Sequence, residues 1–235
     1  MIKGMSITEN IKIIEERIQK SCDLAGRKRG EITLMAVSKF EPEQKIKEAF
    51  NAGIRFFGES RVKEAGGKFS DFNNDYPGAS LHLIGSLQRN KAKNAVLLFD
   101  CIQSADRDDL ILELAKHSSL RQSPLDILLE VHTGEESKSG YESLDELFKA
   151  AELVIGSDKL KPQGLMTMAP FTTDKNIIRS SFKKLFNAGR ELEKRFPCGD
   201  GINWSCLSMG MSDDFEIAIE EGSTMLRIGS AIFKD

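Results

Sequence analysis

Residues 32–59, ITLMAVSKFEPEQKIKEAFNAGIRFFGE, hold one full unit of the pattern on which the fold turns. Ile32 to Val37 is an unbroken apolar or β-branched run, as a strand buried on both faces requires. The run ends on Ser38 and Lys39. Pro42 then opens a polar, periodic segment, EPEQKIKEAFNAG, whose spacing predicts a helix ending near Gly53. IRFF follows as a second short strand. Strand, helix and strand in one stretch describe a crossover unit, and such units build parallel sheets with helices outside.

The unit recurs along the chain. LHLI (81–84), FDCIQS (99–104), LDILLEV (125–131), QGLMTM (163–168), NWSCLS (203–208) and TMLRIG (224–229) read as further buried strands. Amphipathic segments such as DRDDLILELAKHSS lie between them. About eight such units fit a closed (β/α)8 TIM barrel better than an open doubly wound sheet. Ahead of them, Ser6-Ile7-Thr8-Glu9 forms a capping box, and Ile7, Ile11, Ile14 and Ile18 repeat at helical spacing. An extra N-terminal helix is therefore expected, fading near Gly26. The basic GRKRG stretch after it reads as a solvated turn. No linker rich in Pro, Gly or Ser interrupts the pattern, so residues 1–235 are expected to form one domain. The loosest region is Phe72–Ser80, read as a turn-rich loop.

Bulk composition narrows the function. The chain is 40% hydrophobic and 29% charged, ordinary values for a soluble globular protein. A net charge of -3 leaves no electrostatic footprint for nucleic acid. No apolar run approaches the roughly 18 residues that span a bilayer, so no membrane partner is expected. The opening MIKGMSITEN lacks the blocks of a signal peptide. Cys22, Cys101, Cys198 and Cys206 form no C-x-x-C pair, and only three histidines accompany them. Neither a zinc site nor a disulfide framework follows, and a reducing cytoplasm is the expected compartment.

Barrels of this kind do chemistry where strands end in their following loops. Those ends carry Lys39, Gly58-Glu59-Ser60, Gly85-Ser86, Ser104, His132, Thr167, Met209–Ser212 and Gly229-Ser230. Lys39 has two readings: a strand-end lysine reaching into water, or an amine at the barrel mouth, desolvated so that it can form a Schiff base. The far end of the chain bears on the choice. Ser212 precedes an acidic amphipathic helix beginning near Asp213, where unpaired N–H groups suit an anion. Gly229 and Ser230 end the eighth strand, and phosphate sites recur after strands seven and eight of this fold. A lysine on the first strand facing such a cradle suggests pyridoxal 5'-phosphate (PLP).

AVSKFEPEQKIKEAFNAGIRFFGESRVKEA, LHLIGSLQRNKAK, GEESKSG, GLMTMAP and LSMGMSDDFEIAIEEGSTMLRIGSAIF together resemble the pyridoxal phosphate homeostasis protein family, also described as YggS-like or PROSC-like. That family shares the barrel of alanine racemase. The resemblance implies PLP held as a Schiff base on Lys39, phosphate contacts from Ser212 and the Gly229–Ser230 turn, and Arg227 near the pyridine nitrogen. Met211 and Ser60 complete the cofactor-binding set. Ser60 stands where the family usually has Asn, so it is either a contact through water or the cap of the next helix. The function implied is homeostasis of intracellular PLP without an established reaction, by a monomer that hands the cofactor to PLP-dependent apo-enzymes.

Two further functions compete. A PLP-dependent amino-acid racemase needs a base on each face of the cofactor, and the chain stops five residues after Ser230, short of a racemase's second domain. Tyr76 and Tyr141, the available phenols, are expected to pack at the surface. A barrel aldolase acting on a sugar phosphate would use Lys39 without PLP. Arg227 is also readable as an ion-pair partner of Glu59 or Glu221. His82 reads as a hydrogen-bonded packing residue, Met166 and Met168 as core, Lys138 as solvated, and His132 as flanking a polar loop. Asp213 and Asp214 oppose a helix dipole.

Overall fold

A computed structural model describes residues 5–134 and 139–234. Its strands are β1 (Thr33–Val37), β2 (Phe56–Glu59), β3 (Ser80–Leu83), β4 (Cys101–Ala105), β5 (Leu125–Glu130), β6 (Leu160–Met166), β7 (Cys206–Ser208) and β8 (Met225–Ile228). They pair in chain order, all parallel, and β8 returns to β1 to close the barrel. The helices are α1 (Ile7–Leu24), α2 (Glu43–Asn51), α3 (Val62–Lys68), α4 (Phe72–Asp75) and α5 (Ala92–Leu98). They continue as α6 (Asp108–Ser118), α7 (Leu144–Ile155), α8 (Lys175–Arg195), α9 (Phe215–Glu220) and α10 (Ser230–Phe233). The eight expected strands and the leading helix are all present. Ser6 accepts the Glu9 N–H at the start of α1, and Glu9 reaches back to the Ser6 N–H.

The strands alternate between an apolar layer outside the sheet and the barrel interior. Leu34, Ala36, Phe57, Leu81, Ile127, Leu165, Leu207 and Leu226 join the helix side chains in one large core outside the sheet. Cys101, Leu128, Met166 and Cys206 form a separate cluster from alternate positions of β4 to β7, which places them inside the barrel. Gln103 on β4 also reaches Met225 on β8, a contact possible only through the interior. Pro162 sits at a register shift between β5 and β6, where a strand tolerates the missing N–H. Gly164 beside it has φ +147, and a Cβ there would lie 1.9 Å from the Cys206 carbonyl oxygen. Only glycine lets β6 and β7 approach this closely.

Several expectations need correction. Phe72–Ser80 is not a loose loop: Phe72 starts α4 and Tyr76 is 1% exposed. Tyr76 packs against Phe50, Phe57, Phe69 and Phe72 with ring centroids 5.4–5.8 Å apart. Tyr141 is buried too, and its hydroxyl donates to Asp108 Oδ1 at 3.0 Å. The GRKRG stretch is a clamp rather than a solvated turn. Arg27 donates to the carbonyls of Ile219 and Ser223, and Arg29 pairs with Glu15, tying α1 to the barrel's end. Met168 is exposed, whereas Met166 is core as expected. Lys138 lies outside the described residues. Among the described residues no helix is long and apolar enough to cross a membrane.

The Tyr76 hydroxyl is buried and, among the described residues, has no hydrogen-bond partner. Tyr76→Phe should therefore leave stability within about 1 kcal/mol or raise it, because removing an unpaired buried polar group is nearly neutral or favourable. Tyr76→Ala should cost about 3–5 kcal/mol through the cavity it leaves. Urea unfolding of both variants checks this. A loss above about 2 kcal/mol for Tyr76→Phe would contradict the packing described.

Candidate functional site

The mouth of the barrel is assembled at the seam between its first and last strands. β1 and β8 pair with Met35 opposite Arg227 and Ala36 opposite Ile228. One step on, Gly229 lies against Val37: a Cβ on Gly229 would meet the Val37 Cβ and carbonyl oxygen, both at 3.3 Å. Met35 and Val37 occupy alternate positions along β1, and Lys39 follows in the turn just beyond the strand's end. Its side chain is exposed. The expected desolvation of the amine is absent, because the turn carries Lys39 beyond the last buried residue, Ser38.

That turn is held from below. Ser38 N donates to the Gly58 carbonyl at 3.0 Å, and Glu41 N closes back onto the Ser38 carbonyl at 3.0 Å. Phe40 has φ +65, a left-handed conformation unusual for a bulky residue. Beneath it, Glu59 Oε1 accepts from the Ser38 hydroxyl at 2.7 Å and from Lys68 Nζ at 3.2 Å. Burial pushes the Glu59 carboxyl above its usual pKa, opposed by the Ser38 hydrogen bond and the Lys68 charge. Glu59 thus pairs with Lys68 rather than with Arg227. Ser60 does not cap α3, whose N-cap position is Arg61.

At the neighbouring end of β8, Ser212 Oγ accepts from Ser230 Oγ at 3.1 Å and from Ala231 N at 3.4 Å. Ser212, Gly229 and Ser230 therefore form one corner, as expected, with Gly229 at the start of α10. Asp214 does more than face a helix end. It is buried, and its Oδ1 accepts the Met211 N–H at 2.5 Å, folding the turn that presents Met211 and Ser212. Met211 is 37% exposed beside this corner.

Arg227 is 4% exposed and forms no ion pair with Glu59 or Glu221; Arg179 takes Glu221 instead. Nη1 donates to the Ser208 carbonyl (2.6 Å) and hydroxyl (2.7 Å), and Nη2 to the Thr167 carbonyl (2.7 Å). One Nη2–H and the Nε–H remain without a protein acceptor among the described residues. Burial lowers the Arg227 pKa to about 10, with Asp214 and Glu130 opposing the shift.

The hydrogen bonds below Arg227 can be oriented unambiguously. A guanidinium only donates, so Ser208 Oγ accepts from Arg227 and must send its own proton to Gln103 Oε1, 2.7 Å away. The Gln103 amide nitrogen then faces His82 Nδ1 at 2.8 Å and donates to it. His82 carries its proton on Nε2 and donates to Ser80 Oγ at 2.9 Å. Every proton points away from Arg227. His82 is hydrogen-bonded packing, as expected. Gln103, Ser208, Glu130 and Lys68 were not among the expected site residues. Polar residues at inward positions of apolar strands, as in CIQS and SCLS, are the signal for the first two.

Comparison with known proteins gives a consistent set of similarities. The chain matches the family described as "Alanine racemase, N-terminal domain" over residues 6–235. It is 38% identical over 231 residues to the pyridoxal phosphate homeostasis protein of Vibrio cholerae, covering 97% of this chain and 95% of that protein. An unknown protein from Bifidobacterium adolescentis superposes with a TM-score of 0.89 at 33% identity, covering 97% and 94% of the two chains. PipY of Synechococcus elongatus, in a structure with PLP bound, superposes with a TM-score of 0.79 at 31% identity, covering 94% of this chain and 99% of that one.

Burial lowers the His82 pKa from 6.5 to about 4. The folded state therefore resists a proton that the unfolded chain accepts. The contribution is complete above pH 6.5 and is lost as pH falls toward 4, by about 3 kcal/mol in all. Glu59, Glu130 and Asp214, whose pKa values burial raises, act in the opposite sense and are common to both proteins compared. The stability of His82→Gln relative to wild type should thus improve by about that amount from pH 7 to pH 4 in urea titrations. A constant difference would mean that His82 titrates normally.

Proposed function

The chain belongs to the alanine racemase N-terminal domain family, together with the pyridoxal phosphate homeostasis protein it matches along nearly its whole length, and we propose that it holds PLP as a Schiff base on Lys39 and so helps set the free level of that cofactor. The observation that carries this reading is the β1–β8 seam. It brings the Lys39 turn, the unused donors of Arg227 and the Ser212–Ser230 corner to adjacent strand ends. The PLP-bound structure of PipY supports the choice of ligand.

The donor set suits the group. The Ser212 and Ser230 hydroxyls and the first N–H groups of α10 would take the phosphate, with the bare backbone of Gly229 beside them. Arg227 would donate to the pyridine nitrogen. Met211 would cover an apolar edge, and Ser60 would reach the cofactor only through water. When bound, PLP supplies an electrophilic aldehyde carbon and an electron-accepting ring. Lys39 would supply the amine that holds the cofactor at that carbon.

Two observations favour holding the cofactor over transforming a substrate with it. A permanently charged donor at the ring nitrogen disfavours its protonation and weakens the ring as an electron acceptor. Among the described residues neither phenol is placed to serve as a racemase's second base, because Tyr76 is in the core and Tyr141 donates to Asp108. Lys39 is exposed, so an incoming amine can add at the C=N carbon and release the lysine amine. That exchange would pass PLP to an apo-enzyme.

Borohydride reduction after mixing with PLP should fix the cofactor's mass on the peptide containing Lys39, and Lys39→Ala should lose that label. Ser212→Ala combined with Ser230→Ala should weaken binding about ten- to hundredfold while leaving the label on Lys39 at saturating PLP. Equal labelling of Lys39→Ala on another lysine would sink the assignment.

A further inference from the structure

Among the described residues, no hydrogen bond or ion pair holds the Lys39 amine itself; what is gripped is its backbone. Lys39 is flanked by two peptide groups, and one helix holds both. Lys68 Nζ donates to the Ser38 carbonyl, in the peptide before Lys39, at 2.9 Å. Glu64 Oε1 accepts the Phe40 N–H, in the peptide after it, at 2.6 Å. Glu64 and Lys68 stand one turn apart on α3 and pair with each other at 2.7 Å. Lys68 also meets the buried Glu59, which in turn accepts the Ser38 hydroxyl.

We propose that the Glu64–Lys68 pair is a positioning clamp that sets the direction in which Lys39 leaves the barrel rim. The proposal rests on the reading that Lys39 carries the cofactor, and it adds how that lysine is aimed. A solvent-facing pair four residues apart adds little to a helix. This pair is different: its side chains are 21% and 16% exposed, and apart from the Lys68 contact with Glu59 its hydrogen bonds end on the Lys39 turn. The turn also needs holding, because Phe40 occupies a left-handed conformation that its side chain disfavours. Without the clamp, Phe40 relaxes toward ordinary backbone angles, and the bond from Lys39 Cα to Cβ swings with it. The strand end and the Ser212–Ser230 corner stay where they are.

The test uses the full-length protein and two readouts. The first is amide hydrogen exchange at Phe40 without PLP. The second is the rate at which borohydride traps PLP on Lys39 at fixed PLP concentration. Lys68→Met should accelerate the exchange and slow the trapping, each by about tenfold or more, the scale of one lost charge-assisted hydrogen bond. Lys68→Arg should restore both to within about threefold. Glu64→Ala tests the other arm and should accelerate Phe40 exchange by a similar factor, should Lys68→Met fail to fold. A Lys68→Met protein that melts earlier yet traps PLP at the wild-type rate has lost only stability, and that result overturns the clamp. If wild-type protein traps no PLP on Lys39, the cofactor reading fails, and unchanged Phe40 exchange in both variants would then refute the clamp independently.

Discussion

Pairing of the first strand with the last is the constraint from which the rest of the mouth follows. β1 and β8 are separated by almost the whole chain, yet their register sets Met35 beside Arg227 and Ala36 beside Ile228. Once that register is fixed, Val37 must lie against Gly229, and the turn carrying Lys39 must emerge next to the corner of Ser212 and Ser230. A shift by one residue would turn Arg227 out of the barrel and Ile228 into it. Closure therefore does two things at once. It removes the sheet's open edges, and it brings the Lys39 turn beside a serine corner that no local segment could build.

Inside the barrel, the cost of burying a guanidinium is met by hydrogen bonds rather than by a salt bridge. Arg227 is held by Ser208 and the Thr167 carbonyl, with Asp214 and Glu130 supplying opposite charge from further away. The chain of donors from Arg227 through Ser208, Gln103 and His82 to Ser80 is satisfied in one direction only. Burial keeps His82 neutral, and a neutral His82 can accept from Gln103 at Nδ1, as the orientation of the network requires. The network holds Arg227 through Ser208 and Thr167, and among the described residues its other two donors have no protein acceptor.

What was legible in the sequence was whatever depends on local periodicity. The run Ile32–Val37, the helix after Pro42 and their repetition were enough to count the strands and to infer closure. The Ser6–Glu9 capping box located the first helix to the residue. The placement of Lys39, Ser212, Gly229 and Ser230 just past strand ends was legible because strand ends are visible as points where apolar runs stop. The failures share a cause: they depend on which distant segments meet. Tyr76 looked like a loop residue because NNDYPGAS is locally polar, but Phe50 of α2 and Phe57 of β2 join the nearby Phe69 and Phe72 to close over it. The alternative reading of Arg227 as a partner of Glu59 or Glu221 rested on charge alone, whereas closure gives it two carbonyls and a serine hydroxyl. Arg27 and Arg29 looked solvated because their carbonyl partners are supplied by the folded backbone.

The most direct test of the account is a crystal structure of the protein grown with PLP. The account predicts unbroken density from Lys39 Nζ to the former aldehyde carbon, a phosphate within hydrogen-bond reach of the Ser212 and Ser230 hydroxyls, and the Arg227 guanidinium facing the ring nitrogen. A free Lys39 side chain, with PLP bound away from the β1–β8 seam, would contradict it.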